Sequence, residues 1–132
     1  MSEIRKRVGS GARWEPLYGY CRAVRAGNTV AVSGSAAVDA EGELVGEGDM
    51  YAQTQRCLEV VEHALSEVGA QISDVVRTRV FVTDISQWEA VARAHVAVFG
   101  DSPPASSLIQ VTALIDPRML VEIEADAVIA ER

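Results

Sequence analysis

The stretch Val121-Glu122-Ile123-Glu124-Ala125-Asp126-Ala127-Val128 sets three carboxylates between apolar residues at a spacing of two. In an extended chain side chains alternate between faces, so Glu122, Glu124 and Asp126 share one side with Val128 while Val121, Ile123, Ala125 and Ala127 share the other. A solvated antiparallel face is often charged, and that alone accounts for such a row. If one of the acids is desolvated in a cleft, its pKa rises and it can move a proton or hold a water for attack. Other chemistry-bearing residues are scattered. Ser33-Gly34-Ser35 can present hydroxyls at a strand end or simply turn the chain, and no GxSxG elbow or Ser/His/Asp set accompanies it. Tyr18 and Tyr20 flank a glycine, where a phenol closes a pocket or packs. His63 is expected on a helix surface and His95 at the edge of the core. Arg77 and Arg79 share a strand face, suited to pairing with acids of a neighbouring strand or to holding a substrate carboxylate. Cys21 and Cys57 lie far apart with no CxxC or Cys/His ligand spacing, so two reduced, buried thiols are expected, with no metal and no cofactor.

Elements of a single α+β domain must position these residues. The 132 residues are enough for one core and too few for two. A net charge of −7 with scattered basic residues argues against nucleic acid, which needs a basic stripe, and favours small molecules or protein partners. Apolar runs are well short of the ~20 residues that cross a bilayer, and the charged N-terminus has no apolar stretch behind it. A cytoplasmic protein that avoids membranes is the expectation, and eleven arginines against one lysine suit a GC-rich bacterial genome.

Residues 1–16 have no period and are read as a tail. Tyr18 to Ala26 alternates, Gly27-Asn28 turns the chain, and Thr29 to Gly34 returns, predicting a hairpin. Asp49 is placed to cap a helix carrying Met50, Cys57, Leu58, Val61, Ala64, Leu65 and Val68 on one stripe, with Gly69 ending it. Residues 75–82 form a strand with Val76, Thr78, Val80 and Val82 on one face. Asp84 or Ser86 starts a second helix with Trp88, Val91, His95, Val98 and Phe99 on a stripe, and Pro103-Pro104 breaks the chain. Ser106 to Val111 and Leu120 to Ala130 complete the order ββαβαββ. Two helices cover only one sheet face, so the other is expected to close by self-association.

The element order, GNTVAVSG, VVRTRVFVTD followed by a short helix ending in Phe99, the PPASS segment and the closing VEIEADAV together resemble the Rid (YjgF, reactive intermediate deaminase) family over residues 17–131. The resemblance implies a chorismate-mutase-like homotrimer. In it, three sheets form a central barrel with the helices outside, and small-molecule clefts lie between subunits. It also implies that Tyr20, Ser33 and Glu122 match the tyrosine, serine and water-holding glutamate of the deaminases, and that the carbonyl near Leu108 matches the one that helps hold the water. Two positions depart. Where the deaminases carry an arginine that forks onto the substrate carboxylate this chain has Ser106, followed by Ser107, and where they carry an asparagine it has Ala92. Serine cannot replace a permanently charged fork. Arg13, Arg22 and Arg118 are considered as substitute charges, and each is expected at the surface. The leading expectation is a homotrimer that acts on or binds a small imine, enamine or related metabolite without arginine-dependent 2-imino acid chemistry, with Glu122 and Ser33 catalytic and Tyr20, Ala92, Ser106, Ser107 and Leu108 around the ligand. The alternatives are an ordinary deaminase with a substitute charge and a non-catalytic sensing or partner-binding trimer.

Overall fold

The structure, a computed structural model, describes residues 5–130. Its elements are β1 (Arg5–Val8), α1 (Trp14–Tyr18), β2 (Ala23–Ala26), β3 (Thr29–Ser35), α2 (Met50–Glu67), β4 (Val75–Val82), α3 (Trp88–Phe99), β5 (Ala105–Gln110) and β6 (Val121–Val128), with single 3₁₀ turns at Ile72–Asp74 and Ile85–Gln87. The strands form one sheet in the order β1-β2-β3-β6-β4-β5. Every pairing is antiparallel except that of β4 with β5, whose crossover is α3.

Local chemistry accounts for the central elements. Asp49 caps α2, its carboxylate accepting from the Ala52 amide at 3.0 Å. All seven stripe residues from Met50 to Val68 are buried, because apolar positions three and four apart lie on one helix face. Gly69 ends the helix with φ +85°, a left-handed backbone that glycine adopts without strain. Val121, Ile123, Ala125 and Ala127 of β6 turn inward against α2 and join Val30, Val32, Val80 and Val82 in the core. Gln53, also fully buried, accepts from the Leu120 amide at 2.8 Å and donates to the Arg118 carbonyl at 3.0 Å, which ties the loop before β6 to α2. Among the described residues no helix is long and apolar enough to cross a membrane, and no group of three or more His, Cys, Asp or Glu side chains could hold a metal ion.

The mixed α+β architecture is the expected one, but several details differ. Arg5–Val8 is an edge strand paired to β2 from Arg5↔Ala26 to Val8↔Ala23, inside the segment read as a tail. Its side chains are mostly exposed and charged, and backbone hydrogen bonds rather than an apolar pattern place it. The expected start of the first hairpin strand at Tyr18 is replaced by α1, closed by Gly19 at φ +86°, and β2 begins only at Ala23. In β4 the register jumps from Val75↔Ala127 to Arg77↔Asp126, so Val76 is a bulge residue. It is 50% exposed and leaves the face it was assigned with Thr78. Trp88, assigned to the apolar stripe of α3, is 52% exposed. Cys57 is buried, but Cys21 is only half-buried.

Candidate functional site

β3 and β6 run in register from Thr29↔Val128 to Val32↔Ala125 and then resume at Ser35↔Ile123. Three steps on β3 therefore oppose two on β6, which makes Ser33-Gly34 a bulge. Such a bulge redirects carbonyls that would otherwise join the ladder, and here they face Arg22. Its Nη1 donates to the Gly34 carbonyl at 2.6 Å and to Ser35 Oγ at 3.0 Å, with a longer contact of 3.4 Å to the Ser33 carbonyl. Nη2 donates to the Tyr20 hydroxyl at 3.5 Å, and the guanidinium lies 5.6 Å from the centre of the Tyr20 ring. Ser33 Oγ donates to the Cys21 carbonyl at 2.7 Å, closing the bulge against the start of β2.

Glu122 crosses this bulge. A Cβ on residue 34 would run into the Glu122 carboxylate, which would have to swing aside, so glycine here leaves the carboxylate its present place. Burial pushes the Glu122 pKa up, the positive charge of Arg22 opposes that rise, and the negative charge of Glu124 adds to it. Glu122 is half-buried, and among the described residues no donor hydrogen-bonds to its carboxylate. Its two companions differ: Arg79 Nη1 lies 3.1 Å from Glu124 Oε1 and 3.3 Å from Asp126 Oδ2. Of the three acids on this face, Glu122 alone combines partial desolvation with a carboxylate free of any ion pair, the state suited to taking a proton from water.

A second group forms at the far edge of the sheet. Ser106 lies opposite Thr78 and Leu108 opposite Val80, and with Ala92 of α3 they line a groove of about 210 Å³ that also includes Trp88, Val91, His95 and Val96. Thr78 Oγ1 is 2.8 Å from Ser106 Oγ and 2.9 Å from His95 Nε2. The imidazole is tilted against Phe99 with ring centres 4.6 Å apart, and burial lowers its pKa, which keeps it neutral near pH 7.

Tyr20, Ser33 and Glu122 thus meet around Arg22 and Gly34, while Ala92, Ser106 and Leu108 meet around His95. The two groups do not meet within one chain. Ser106 is on the helix-covered side with Thr78, whereas Glu122 is on the open side, opposite in phase to the buried Val121 and Ile123. Ser107, opposite Arg79, is on the open side with Glu122 but two strands away. Arg22 is a correction: expected at the surface, it is 6% exposed, drawn in by carbonyls that the bulge turns toward it. Arg118 does lie outside, paired with Asp116 at 2.8 Å, and Arg13 is exposed over the Trp14 ring. His63 sits on the helix surface, 3.0 Å from Glu67, and Arg79 pairs with acids of the adjacent strand, both as expected. Sequence reasoning missed two separate constellations, Arg22 with Gly34 on the open side and Thr78 with His95 beneath α3. The SGS segment was the one local signal, since a glycine between two serines inside a strand often marks a bulge or a close approach.

Residues 10–129 match the family model described as Endoribonuclease L-PSP. An uncharacterised protein of Streptomyces coelicolor is 40% identical over 126 residues, 96% of this chain and 93% of that protein. The 3-aminoacrylate deaminase RutC of Acinetobacter baylyi is 35% identical over 112 residues, 85% of this chain and 88% of its own. The crystal structure of Rv2704 from Mycobacterium tuberculosis, described as a member of the YjgF/YER057c/UK114 family, is 46% identical with a TM-score of 0.88, covering 96% of this chain and all 100% of that one. The E. coli YjgF structure is 29% identical with a TM-score of 0.82, covering 95% and 98%. The fold as a whole therefore has its counterpart in known proteins, and the chain belongs to the Rid/YjgF family, whose model bears the description Endoribonuclease L-PSP.

Proposed function

We propose that this chain is the subunit of a cytoplasmic homotrimer that hydrolyses a small imine or enamine in clefts between subunits, with Glu122 as the base. The observation that carries the reading is the half-buried Glu122 carboxylate, held over Gly34 with no hydrogen-bond donor among the described residues and with its pKa raised by burial. Glu122 takes a proton from a water as the oxygen adds to the C=N carbon, the π electrons pass to the nitrogen, and the nitrogen takes up a proton to give the carbinolamine. The carbinolamine hydroxyl then loses its proton as the C–N bond breaks, the nitrogen leaves with a proton returned from Glu122 as ammonia, and a carbonyl compound remains. An enamine first gains a proton at carbon and gives one up from nitrogen to become the imine. Tyr20 and Ser33 shape this half of the cleft.

The same geometry supports self-association. Tyr20, Ser33 and Glu122 lie on one side of the sheet and Ala92, Ser106 and Leu108 on the other, so a cleft that uses both groups needs a second copy of the chain. The resemblance to a 3-aminoacrylate deaminase supports C=N hydrolysis as the reaction class. Ser106, standing where the family's deaminases carry arginine, argues for a substrate other than a 2-imino acid. With a net charge of −7 the chain suits small molecules better than RNA.

Ammonia release from a panel of imines and enamines generated in situ tests this. Turnover that is lost in Glu122→Gln supports the mechanism, and turnover untouched by that change removes Glu122 from it. Light scattering that shows a monomer removes the shared cleft. Ser106 also favours a second reading, a ligand-sensing trimer: small molecules that bind with no ammonia released by any substrate would select it.

A further inference from the structure

The groove beneath α3 is unusual for a site that would meet an anionic substrate, since among the described residues no cation lines it. Its walls are the side chains of Val80, Trp88, Val91, Ala92, Val96 and Leu108, and its polar groups are Ser106 and His95. Arg93, next to Ala92, is turned away and stacks over Tyr51 at 4.7 Å. An apolar cavity of about 150 Å³ admits a benzene ring, whereas a whole drug-sized ligand needs about 300 Å³ or more. At about 210 Å³ the groove fits one ring or a branched alkyl group, a part of a molecule rather than all of it.

Its polar end is a chain of three groups that share protons without net charge. Thr78 is fully buried and has one hydroxyl hydrogen for two neighbours, Ser106 Oγ at 2.8 Å and His95 Nε2 at 2.9 Å. When His95 donates through Nε2, Thr78 donates to Ser106, and the Ser106 hydrogen is left to donate into the groove. When His95 Nε2 accepts, Thr78 donates to it, Ser106 donates to Thr78, and the Ser106 oxygen faces the groove as an acceptor. The handle therefore meets a neutral donor or a neutral acceptor equally well, and it offers a carboxylate no compensating charge.

We propose that this groove is a specificity subsite for an uncharged substrate side chain, an alkyl or aryl group bearing a neutral amide, carbonyl or hydroxyl, and that Ser106 is the specificity-determining residue. The proposal rests on the shared-cleft reading above and names the substrate class that cleft takes.

Isothermal titration of the purified, assembled protein with benzamide and with benzoate tests it, because the two probes share a ring and differ in charge. The expected result is that benzamide binds the wild type at least about tenfold more tightly than benzoate, as one well-placed neutral hydrogen bond and an unpaired carboxylate would give. Ser106→Arg should reverse that order, and Ala92→Leu, which fills the groove, should weaken benzamide by about tenfold or more. Ser106→Ala removes one hydroxyl from an exposed edge strand and keeps the test valid if the larger variants fold poorly: it should weaken benzamide severalfold. Equal affinity of the wild type for the two probes, no binding of benzamide at millimolar concentration, or benzamide binding indifferent to both Ser106→Ala and Ala92→Leu would overturn the proposal. Failure here with turnover that still depends on Glu122 leaves the catalytic reading standing. Selective benzamide binding without any turnover leaves the subsite standing alone.

Discussion

Glu122 and Gly34 occupy the same space in succession: where a Cβ on residue 34 would be, the Glu122 carboxylate already is. The contact joins β6 to the β3 bulge and turns one acid of an ordinary charged strand face into a partly desolvated base. Gly34→Ala should therefore displace the carboxylate, and because that group is the end of a flexible, half-buried side chain the cost should be modest, up to about 1 kcal/mol. Chemical denaturation of the single and double variants checks this: Glu122→Ala in the Gly34→Ala background should recover most of the loss, because the clash is with that side chain. A loss that persists in the double variant would place the strain elsewhere.

The raised pKa of Glu122 has a direction that pH can read. A base must be deprotonated to act, so turnover should rise with pH through a value above the ordinary carboxylate value of 4.5. Arg22 lowers that pKa, so a neutral residue at 22 should move the acid limb further up. The folded protein holds this proton more tightly than the unfolded chain, and stability from this group is complete below the unfolded pKa and falls as pH rises through the folded one. Glu122→Gln should accordingly raise the melting temperature at neutral pH and lose its advantage in acid. An acid limb at or below the ordinary carboxylate value would contradict the placement of Glu122.

Arg22 is more than a charge near the site. Its removal leaves the Gly34 carbonyl and Ser35 without their donor, and each buried acceptor left alone costs about 1–3 kcal/mol. Arg22→Met should destabilise the protein by about 2–4 kcal/mol in urea, by loss of those bonds. A change within about 0.5 kcal/mol, as for a surface residue, would show that the bulge does not depend on it.

Thr78 of β4 connects Ser106 of β5 and His95 of α3 through one hydroxyl. Thr78→Val keeps the shape and removes the hydroxyl, leaving both partners unmatched at the edge of the groove. A destabilisation of about 1–2 kcal/mol is expected from thermal unfolding. Replacing the hydroxyl by a methyl adds to the burial that lowers the His95 pKa, so an NMR titration should place it lower still. An unchanged titration would separate His95 from the relay.

Much of the scaffold was legible because its cause is local. The α2 stripe from Met50 to Val68, the Asp49 cap, the β4 span and the alternation of β6 all follow from periodicities of 3.6 and 2 that any short window displays. The same alternation put Glu122, Glu124 and Asp126 on one face. It could not say which of them is free, because that depends on Arg79 arriving from β4 to pair with two of the three.

What the sequence determined by itself was the set of elements and the faces of the regular strands, since these depend on neighbours three, four or two residues away. Only the tertiary structure decided the rest. β1 exists because β2 offers it a backbone edge, Val76 and Ser33-Gly34 bulge because partner strands run one residue short, and Arg22 is buried because that second bulge turns carbonyls toward it. Each of these depends on hydrogen bonds between residues distant in the chain, and backbone pairing of that kind leaves no periodic mark in the side chains. The separation of Glu122 from Ser106 onto opposite sides of one sheet has the same origin, for it is the cross-strand register, with Glu122 opposite Phe81 and Ser106 opposite Thr78, that sets one group on the open face and the other under α3.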